Sequence, residues 1–314
     1  MSKIDEVHLL CAGYCTHPEC IIISTGKCQK IKIPNMFALL RHSERGYILF
    51  DTGYTGRFYE ETRSFPYNVY AFVTPVYVDN HQTAVVQLRD MGILAHQITH
   101  IIVSHFHADH VSGLRDFPMA KIVCLKTEYD AVMKLRSSSS FTAVRHAFLP
   151  NLLPSDFEQR VIVVDDNLFN SPNPTGQYVQ HLNSKYKPFD IGYDLFEDGS
   201  IIIVSLPGHT PGHLGCFATK PTGEKFFFIG DACWHSDSFR GTVKVDDIIP
   251  PNSLTALIHY HWDSYISTIK AIRQLYIDQL EGRMPEIGSL QIIPSHCPEL
   301  FKKYKLKNTL KSKL

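Results

Sequence analysis

The segment THIIVSHFHADH at residues 99–110 holds the most informative pattern in the sequence. Its first six residues form an apolar, β-branched run that is typical of a buried strand. The six residues that follow, from His105 to His110, contain three histidines and one carboxylate. Loops at strand ends carry functional groups, and imidazole nitrogen and carboxylate oxygen are ligands that Zn²⁺ and similar ions take. The segment therefore predicts a metal site that includes His105, His107, Asp109 and His110.

Three further metal-type side chains follow later predicted strands. His209 comes after the run at 201–205, Asp231 follows FFFIG at 226–230, and His296 follows LQIIP at 290–294. Four strands that bring these side chains to one edge would form a site for two divalent metal ions, and zinc is the ion that best suits them. Unrelated structural histidines are the alternative. His213 is expected to make a hydrogen bond beside the site rather than to bind metal.

Strand-like and helix-like segments alternate along the whole chain. Helices are predicted at 83–91 and 128–135, and apolar residues at helical spacing predict a long amphipathic helix from 265 to 280. Strands are predicted at 6–10, 36–40, 46–51, 99–104, 121–125, 160–164, 193–196, 201–205, 214–219, 225–229 and 290–294. Hairpins in both halves with helices between them predict one α/β domain over residues 1–314, with two sheets and helices outside.

Two segments depart from this alternation. Residues 58–82 are dense in tyrosine and phenylalanine, which favours either a lid over an apolar substrate pocket or a homodimer contact. Residues 136–190 contain a serine run and a Pro/Asn-rich stretch at 171–176, and they are interpreted as an insertion within the same domain.

The composition excludes some partners. The 314 residues carry 31 basic and 31 acidic side chains, so a broad basic surface for nucleic acid is not expected. No apolar run approaches the roughly 20 residues that a membrane-spanning helix needs. The N-terminal residues lack the apolar core of a signal peptide, and the 8 cysteines are then expected to be reduced thiols. A cytoplasmic protein without a membrane partner is the expectation.

The motifs together resemble those of the metallo-β-lactamase superfamily of hydrolases. They are H-x-H-x-D-H at 105–110, PGHTPGH at 207–213, Gly230-Asp231 and Ser295-His296. The resemblance implies a four-layer αββα sandwich with a dinuclear metal site at the edge of the two sheets. It also implies that Asp51, in the D-T-G turn, orients a ligand histidine. The implied ligands are His105, His107 and His209 for one ion, Asp109, His110 and His296 for the other, and Asp231 as a bridge.

A finer resemblance is to the N-acyl-homoserine lactonase branch. CAGYC at 11–15, YILFDTG at 47–53 and TEYDA at 127–131 look like that branch, and Asp231 argues against true β-lactamases, which lack it. The lactonases carry a tyrosine three residues after the bridging aspartate, where this sequence has Trp234. The indole offers an N–H donor without a hydroxyl. Asp109, as ligand and proton shuttle, and Trp234, as an extra donor, are the candidate catalytic residues.

These features predict a dinuclear metal-dependent hydrolase that uses a metal-bound hydroxide on a small ester-like substrate. An N-acyl-homoserine lactone or a related lactone is the sharpest version. A thioesterase or a hydrolase of organophosphates or aryl esters is the alternative within the same superfamily. A nuclease fits the zero net charge poorly, and a non-catalytic metal-binding protein fits the complete ligand set poorly.

Overall fold

In the computed structural model, the chain is described over residues 3–23, 25–166, 179–182, 186–241 and 259–311. Seven strands of that part form one sheet in the spatial order β4-β1-β2-β3-β5-β6-β7. These strands are β1 (Ile4–Pro18), β2 (Lys30–His42), β3 (Gly46–Phe50), β4 (Val76–Tyr77), β5 (Ile98–Ile102), β6 (Lys121–Leu125) and β7 (Val161–Val164).

Six strands form the second sheet in the order β13-β12-β11-β10-β9-β8. They are β8 (Val179–His181), β9 (Ile191–Asp194), β10 (Ile201–Ser205), β11 (Leu214–Thr219), β12 (Lys225–Gly230) and β13 (Leu290–Pro294). The helices are α1 (Glu19–Ile22), α2 (Arg57–Glu61), α3 (Asn68–Val73), α4 (Ala84–Asp90), α5 (Ala108–Val111), α6 (Lys126–Arg136), α7 (Ser140–Arg145), α8 (Phe157–Arg160), α9 (Asp237–Arg240), α10 (Trp262–Leu280) and α11 (Pro298–Lys311). None of the described helices has the length and apolar character needed to cross a bilayer.

Alternation of side chains along each strand creates two apolar layers. Leu40 and Ile48 of the first sheet share one buried cluster with Ile203 and Phe228 of the second, so this cluster fills the space between the sheets. The opposite faces of the strands belong to another cluster, which also contains the buried residues of the outer helices, such as Ile269 of α10. The architecture is therefore the expected four-layer αββα sandwich.

Strand direction explains why the metal-type side chains meet. β3 and β5 are parallel neighbours, and β12 and β13 are parallel neighbours in the other sheet. β10 runs in the same direction as β12, because each is antiparallel to β11 between them. The carboxyl ends of β3 and β5 thus lie at one edge of the first sheet, and those of β10, β12 and β13 lie at one edge of the second.

Most predicted elements are present, with different limits in places. The strands at 121–125, 201–205, 214–219 and 290–294 have the predicted bounds, whereas those at 6–10 and 36–40 are the inner parts of the long β1–β2 hairpin. Residues 58–82 contain α3 and β4, and β4 pairs with β1. Residues 136–190 contain α7, α8 and β7, and their Pro/Asn-rich stretch at 171–176 lies outside the described residues.

Candidate metal centre

Asp51 follows β3, and its carboxylate makes hydrogen bonds to both ends of the segment that carries the histidine motif. Its backbone has a φ of 60°, in the left-handed region that aspartate adopts more readily than most residues. The carboxylate accepts the N–H and the hydroxyl of Ser104, each at 2.8 Å, and it lies 2.8 Å from Nδ1 of His110. With Nδ1 occupied in this way, only Nε2 of His110 is left to face the site. The turn therefore fixes which nitrogen of His110 faces the candidate ligands, and the role of Asp51 in orienting a metal ligand stays a prediction.

Three histidines form the first of two ligand groups. His105 and His107 come from the loop after β5, and His209 comes from the loop after β10. One nitrogen from each ring lies within 4.8 Å of the others, and all three residues are buried. Nε2 of His209 is 3.0 Å from Nδ1 of His107. We refer to these residues as the three-histidine group.

Asp109, His110, Asp231 and His296 form the second group, and their ligand atoms also lie within 4.8 Å of one another. Nε2 of His296 is 3.0 Å from Oδ2 of Asp109 and 3.1 Å from Oδ1 of Asp231. Nε2 of His110 is 3.3 Å from each of the same two oxygens. We refer to these four residues as the carboxylate group.

Asp231 also faces the three-histidine group. Its Oδ2 lies 3.5 Å from Nε2 of His209 and accepts the indole N–H of Trp234 at 2.9 Å. Its backbone N–H donates to Nε2 of His213 at 3.0 Å. His213 thus accepts a hydrogen bond from the backbone of a candidate ligand, and its role beside a metal site stays a prediction. The Trp234 N–H is engaged with Asp231, so Trp234 is placed to hold this carboxylate in the present structure.

Burial and charge divide the histidines into two kinds. Burial lowers the pKa of His107 to about 4 and holds those of His105 and His209 well below their usual value. Burial alone would lower the pKa of His296. The carboxylates of Asp231 and Asp109 outweigh that effect and raise the pKa to about 10. The three-histidine group is therefore neutral, the form that binds metal, whereas His296 holds a proton between carboxylates when no metal is bound.

The unsatisfied atoms of the site fit a metal ion. His105 Nε2, His110 Nε2 and Asp231 Oδ1 are buried and make no hydrogen bond of good geometry to any described residue. The short contacts of the last two atoms are ion pairs within the carboxylate group. Buried polar atoms normally have a partner, and a cluster of orphaned nitrogens and carboxylate oxygens is the donor set that divalent ions of the zinc type take.

Two buried residues beside the site were not predicted from the sequence. Nδ1 of His259 lies 3.0 Å from Nδ1 of His209. Glu128, in the first turn of α6, accepts backbone N–H groups from Phe106 and Gly212. No local pattern could have revealed either contact, because the partners are 22 to 84 residues away in the chain.

An apolar cavity of about 300 Å³ opens on both ligand groups. Its wall includes apolar side chains from α1, β2 and α3, together with Tyr54 and Trp234. Apolar residues of the wall include Ile21, Ile22, Ile33, Val69, Tyr70 and Val73, together with Val144 and Ala147. Part of the predicted aromatic segment thus lines this cavity, while Phe65 and Phe72 of the same segment are exposed.

Comparison with known proteins places these observations in a family. The family model described as the metallo-beta-lactamase superfamily matches residues 34–278. The N-acyl homoserine lactonase AttM of Agrobacterium fabrum is 24% identical over 220 residues, which are 70% of this chain and 73% of that protein. The AttM of Azorhizobium caulinodans is 22% identical over 285 residues, covering 91% and 90%. A solved structure of an N-acyl homoserine lactone hydrolase with N-hexanoyl-L-homoserine at its catalytic metal center aligns with a TM-score of 0.63 and 19% identity, covering 96% and 97%.

Proposed function

Because this chain belongs to the metallo-beta-lactamase superfamily, we propose that it is a dinuclear zinc hydrolase of lactones that carry an apolar acyl chain. N-acyl-homoserine lactones are the most specific candidates. The observation that carries the proposal is the apolar cavity that opens directly on both ligand groups. The relatives named as N-acyl homoserine lactonases support it.

Seven residues would hold the two ions. The three-histidine group would hold one, Asp109, His110 and His296 would hold the other, and Asp231 would contact both. When bound, two divalent ions supply Lewis acidity that polarises an ester carbonyl and lowers the pKa of a water molecule. The remaining tasks fall to the chain's own side chains.

Asp109 is the proposed carrier of a proton to the leaving alkoxide. Oδ2 of Asp109 accepts a hydrogen bond from the side-chain amide of Asn35 at 3.1 Å. Asp109 also lines the cavity, so its carboxylate can reach both the other ligands and a substrate. Opening a lactone with water leaves an alkoxide that must gain a proton, and the attacking water must lose one. Against the effect of burial, His110 and His296 hold the pKa of Asp109 below its usual value, so this carboxylate is ionised and can take the proton from the water and pass it to the alkoxide.

Tyr54 is a candidate donor to the substrate carbonyl. It lines the cavity with Asp109 and Asp231, and no hydrogen bond joins its hydroxyl to a described residue. Burial raises the pKa of Tyr54 well above its usual value, so the hydroxyl keeps its proton. Trp234 is the alternative donor, but using it would require release of its N–H from Asp231.

A substrate panel tests the proposal. Zinc-loaded protein should hydrolyse N-acyl-homoserine lactones with acyl chains of four to twelve carbons, and kcat/KM should rise with chain length. Each buried methylene contributes up to about 0.8 kcal/mol, or up to roughly fourfold. Metal analysis should return close to two zinc equivalents. Activity in protein without metal, or a flat chain-length profile together with faster turnover of aryl esters, would refute the proposal.

A second cavity favours an acyclic ester or thioester as the other candidate. This cavity of about 660 Å³ shares His107, His209 and Arg145 with the apolar cavity, and its wall includes Lys134 and Asp130. In an acyclic substrate, the acyl group could then occupy one cavity and the leaving group the other. Faster turnover of acyl thioesters than of lactones with the same acyl chain would favour this candidate.

A further inference from the structure

Glu128 lies between the two loops that supply the three-histidine group. It is only 3% exposed and occupies the first turn of α6, directly after β6. Oε1 accepts the backbone N–H of Phe106 at 3.3 Å, and Oε2 accepts the backbone N–H of Gly212 at 2.9 Å. A single buried carboxylate therefore holds two backbone amides that are far apart in sequence.

Both amides belong to ligand loops. Phe106 lies between His105 and His107, in the loop after β5 of the first sheet, and Gly212 lies three residues after His209, in the loop after β10 of the second. Glu128 thus spans the junction of the two sheets at the site. The carboxylate group is held by other contacts, among them Asp51 on His110 and the Pro34 carbonyl on Nδ1 of His296.

We propose that Glu128 is a positioning residue that sets the spacing of the three-histidine group, and thereby the affinity of one of the two metal ions. The inference rests on the proposed dinuclear function. It predicts a site-selective effect, because Phe106 is the direct chain neighbour of both His105 and His107. The nearest member of the carboxylate group in that loop, Asp109, lies three residues farther on, within α5.

Close packing makes this spacing sensitive. A Cβ on Gly212 would lie 2.1 Å from the backbone nitrogen of Glu128, so the loop rests directly on the first turn of α6. A backbone hydrogen bond of 2.9 Å from Leu214 to Ser104 joins the same two loops on their other side. Because that bond remains when Glu128 is replaced, we expect the loops to stay docked while the spacing of their histidines relaxes.

Glu128→Gln is the informative variant. The Gln amide oxygen can accept one backbone N–H, but its NH₂ group then faces the other donor, so one amide loses its partner. Asp166→Asn is the matched control. Asp166 is a buried carboxylate that accepts the N–H of Thr127, the residue next to Glu128, at 3.0 Å, and Thr127 belongs to neither ligand loop.

Zinc affinities measured by competition with a chromophoric chelator test the inference. In the Glu128→Gln variant, one of two zinc equivalents should bind about 10- to 100-fold more weakly, whereas Asp166→Asn should match the wild type. In a His296→Ala background, which keeps the three-histidine group, Glu128→Gln should weaken the remaining site equally. In a His209→Ala background it should have little effect.

The possible failures are distinguishable. Wild-type protein that binds no zinc would refute the proposed function, whereas wild-type and Glu128→Gln proteins that bind both equivalents equally would overturn the role of Glu128. If circular dichroism shows that Glu128→Gln is unfolded, Glu128→Asp replaces it. That carboxylate is one methylene shorter and cannot reach both amides, and unchanged zinc affinity in it would equally overturn the inference.

Discussion

The indole N–H of Trp234 donates to Oδ2 of Asp231 at 2.9 Å, which links the wall of the apolar cavity to the carboxylate between the two ligand groups. The sequence suggested instead that this N–H serves the substrate. Since a hydrogen-bonded carboxylate keeps a fixed orientation toward its ligands, we interpret Trp234 mainly as the partner that orients Asp231.

Trp234→Phe should therefore lower metal affinity by about 10- to 100-fold, because the ring remains while the donor is lost. Zinc titration of the metal-free protein checks this. The chain has 2 tryptophans, and Trp262→Phe is the control, since no hydrogen bond joins Trp262 to the ligand groups among the described residues. Unchanged zinc affinity with a lower lactone turnover would instead indicate that the Trp234 N–H donates to the substrate.

Asp231→Ala should remove most metal and activity while the fold survives. The carboxylate lies within 3.5 Å of His110, His209 and His296, so its removal would affect both ligand groups. His213→Ala should be milder, with metal affinity lowered by roughly tenfold, because the hydrogen bond of the His213 ring is to the backbone N–H of Asp231 and not to a ligand side chain. Metal content with circular dichroism distinguishes them, and the reverse order of severity would contradict the assignment.

Tyr54→Phe should lower kcat by about 100-fold while metal content and KM change little, because a donor to developing charge acts mainly in the transition state. Tyr186→Phe is the control, since Tyr186 is an equally buried tyrosine whose hydroxyl lies 3.4 Å from Thr219 Oγ1. Steady-state kinetics on one acyl lactone are sufficient. Equal kcat in all three proteins would exclude Tyr54 as the donor.

Val69→Phe should shift the preferred acyl chain toward shorter lengths, because Val69 of α3 lines the apolar cavity and the added volume would occupy it. Phe72→Ala lies on the same helix, but Phe72 is 84% exposed and is absent from the cavity wall, so it should leave the chain-length profile unchanged. If both variants gave the wild-type profile, α3 would not cover the acyl chain.

Zinc binding to the metal-free protein should release protons at pH 7.5. The pKa of His296 is raised to about 10, and Asp109 and Asp51 outweigh burial to raise that of His110 well above its usual value, so both rings hold protons that a metal must displace. Apparent affinity should therefore fall as pH is lowered. Calorimetry in two buffers of different ionisation enthalpy counts the protons, and a count of zero would contradict the protonated state.

In the metal-free protein, the raised pKa of His296 also makes the free energy of unfolding depend on pH. The folded pKa of His296 exceeds the unfolded value of about 6.5, so its contribution is complete below pH 6.5 and is lost as pH rises toward 10.

The fold could be predicted from the sequence, and so could the residues that the structure brings together as candidate ligands, because their signals are local. The strands at 201–205 and 290–294 are apolar runs bounded by turn residues, and His209 and His296 follow them directly. The length of the β1–β2 hairpin was not predictable, since it depends on pairing between strands. The contacts of Glu128 and His259 could not be predicted either, because their partners come from other parts of the chain.

The wall of the apolar cavity and the ligand groups come largely from separate parts of the chain. The ligands follow β5, β10, β12 and β13, whereas most of the apolar wall comes from α1, β2 and α3, none of which carries a ligand. Substitutions in the wall can therefore accumulate under selection without disturbing the metal centre. Such a separation lets substrate preference diverge among descendants of one ancestral enzyme while the hydrolytic chemistry is inherited intact.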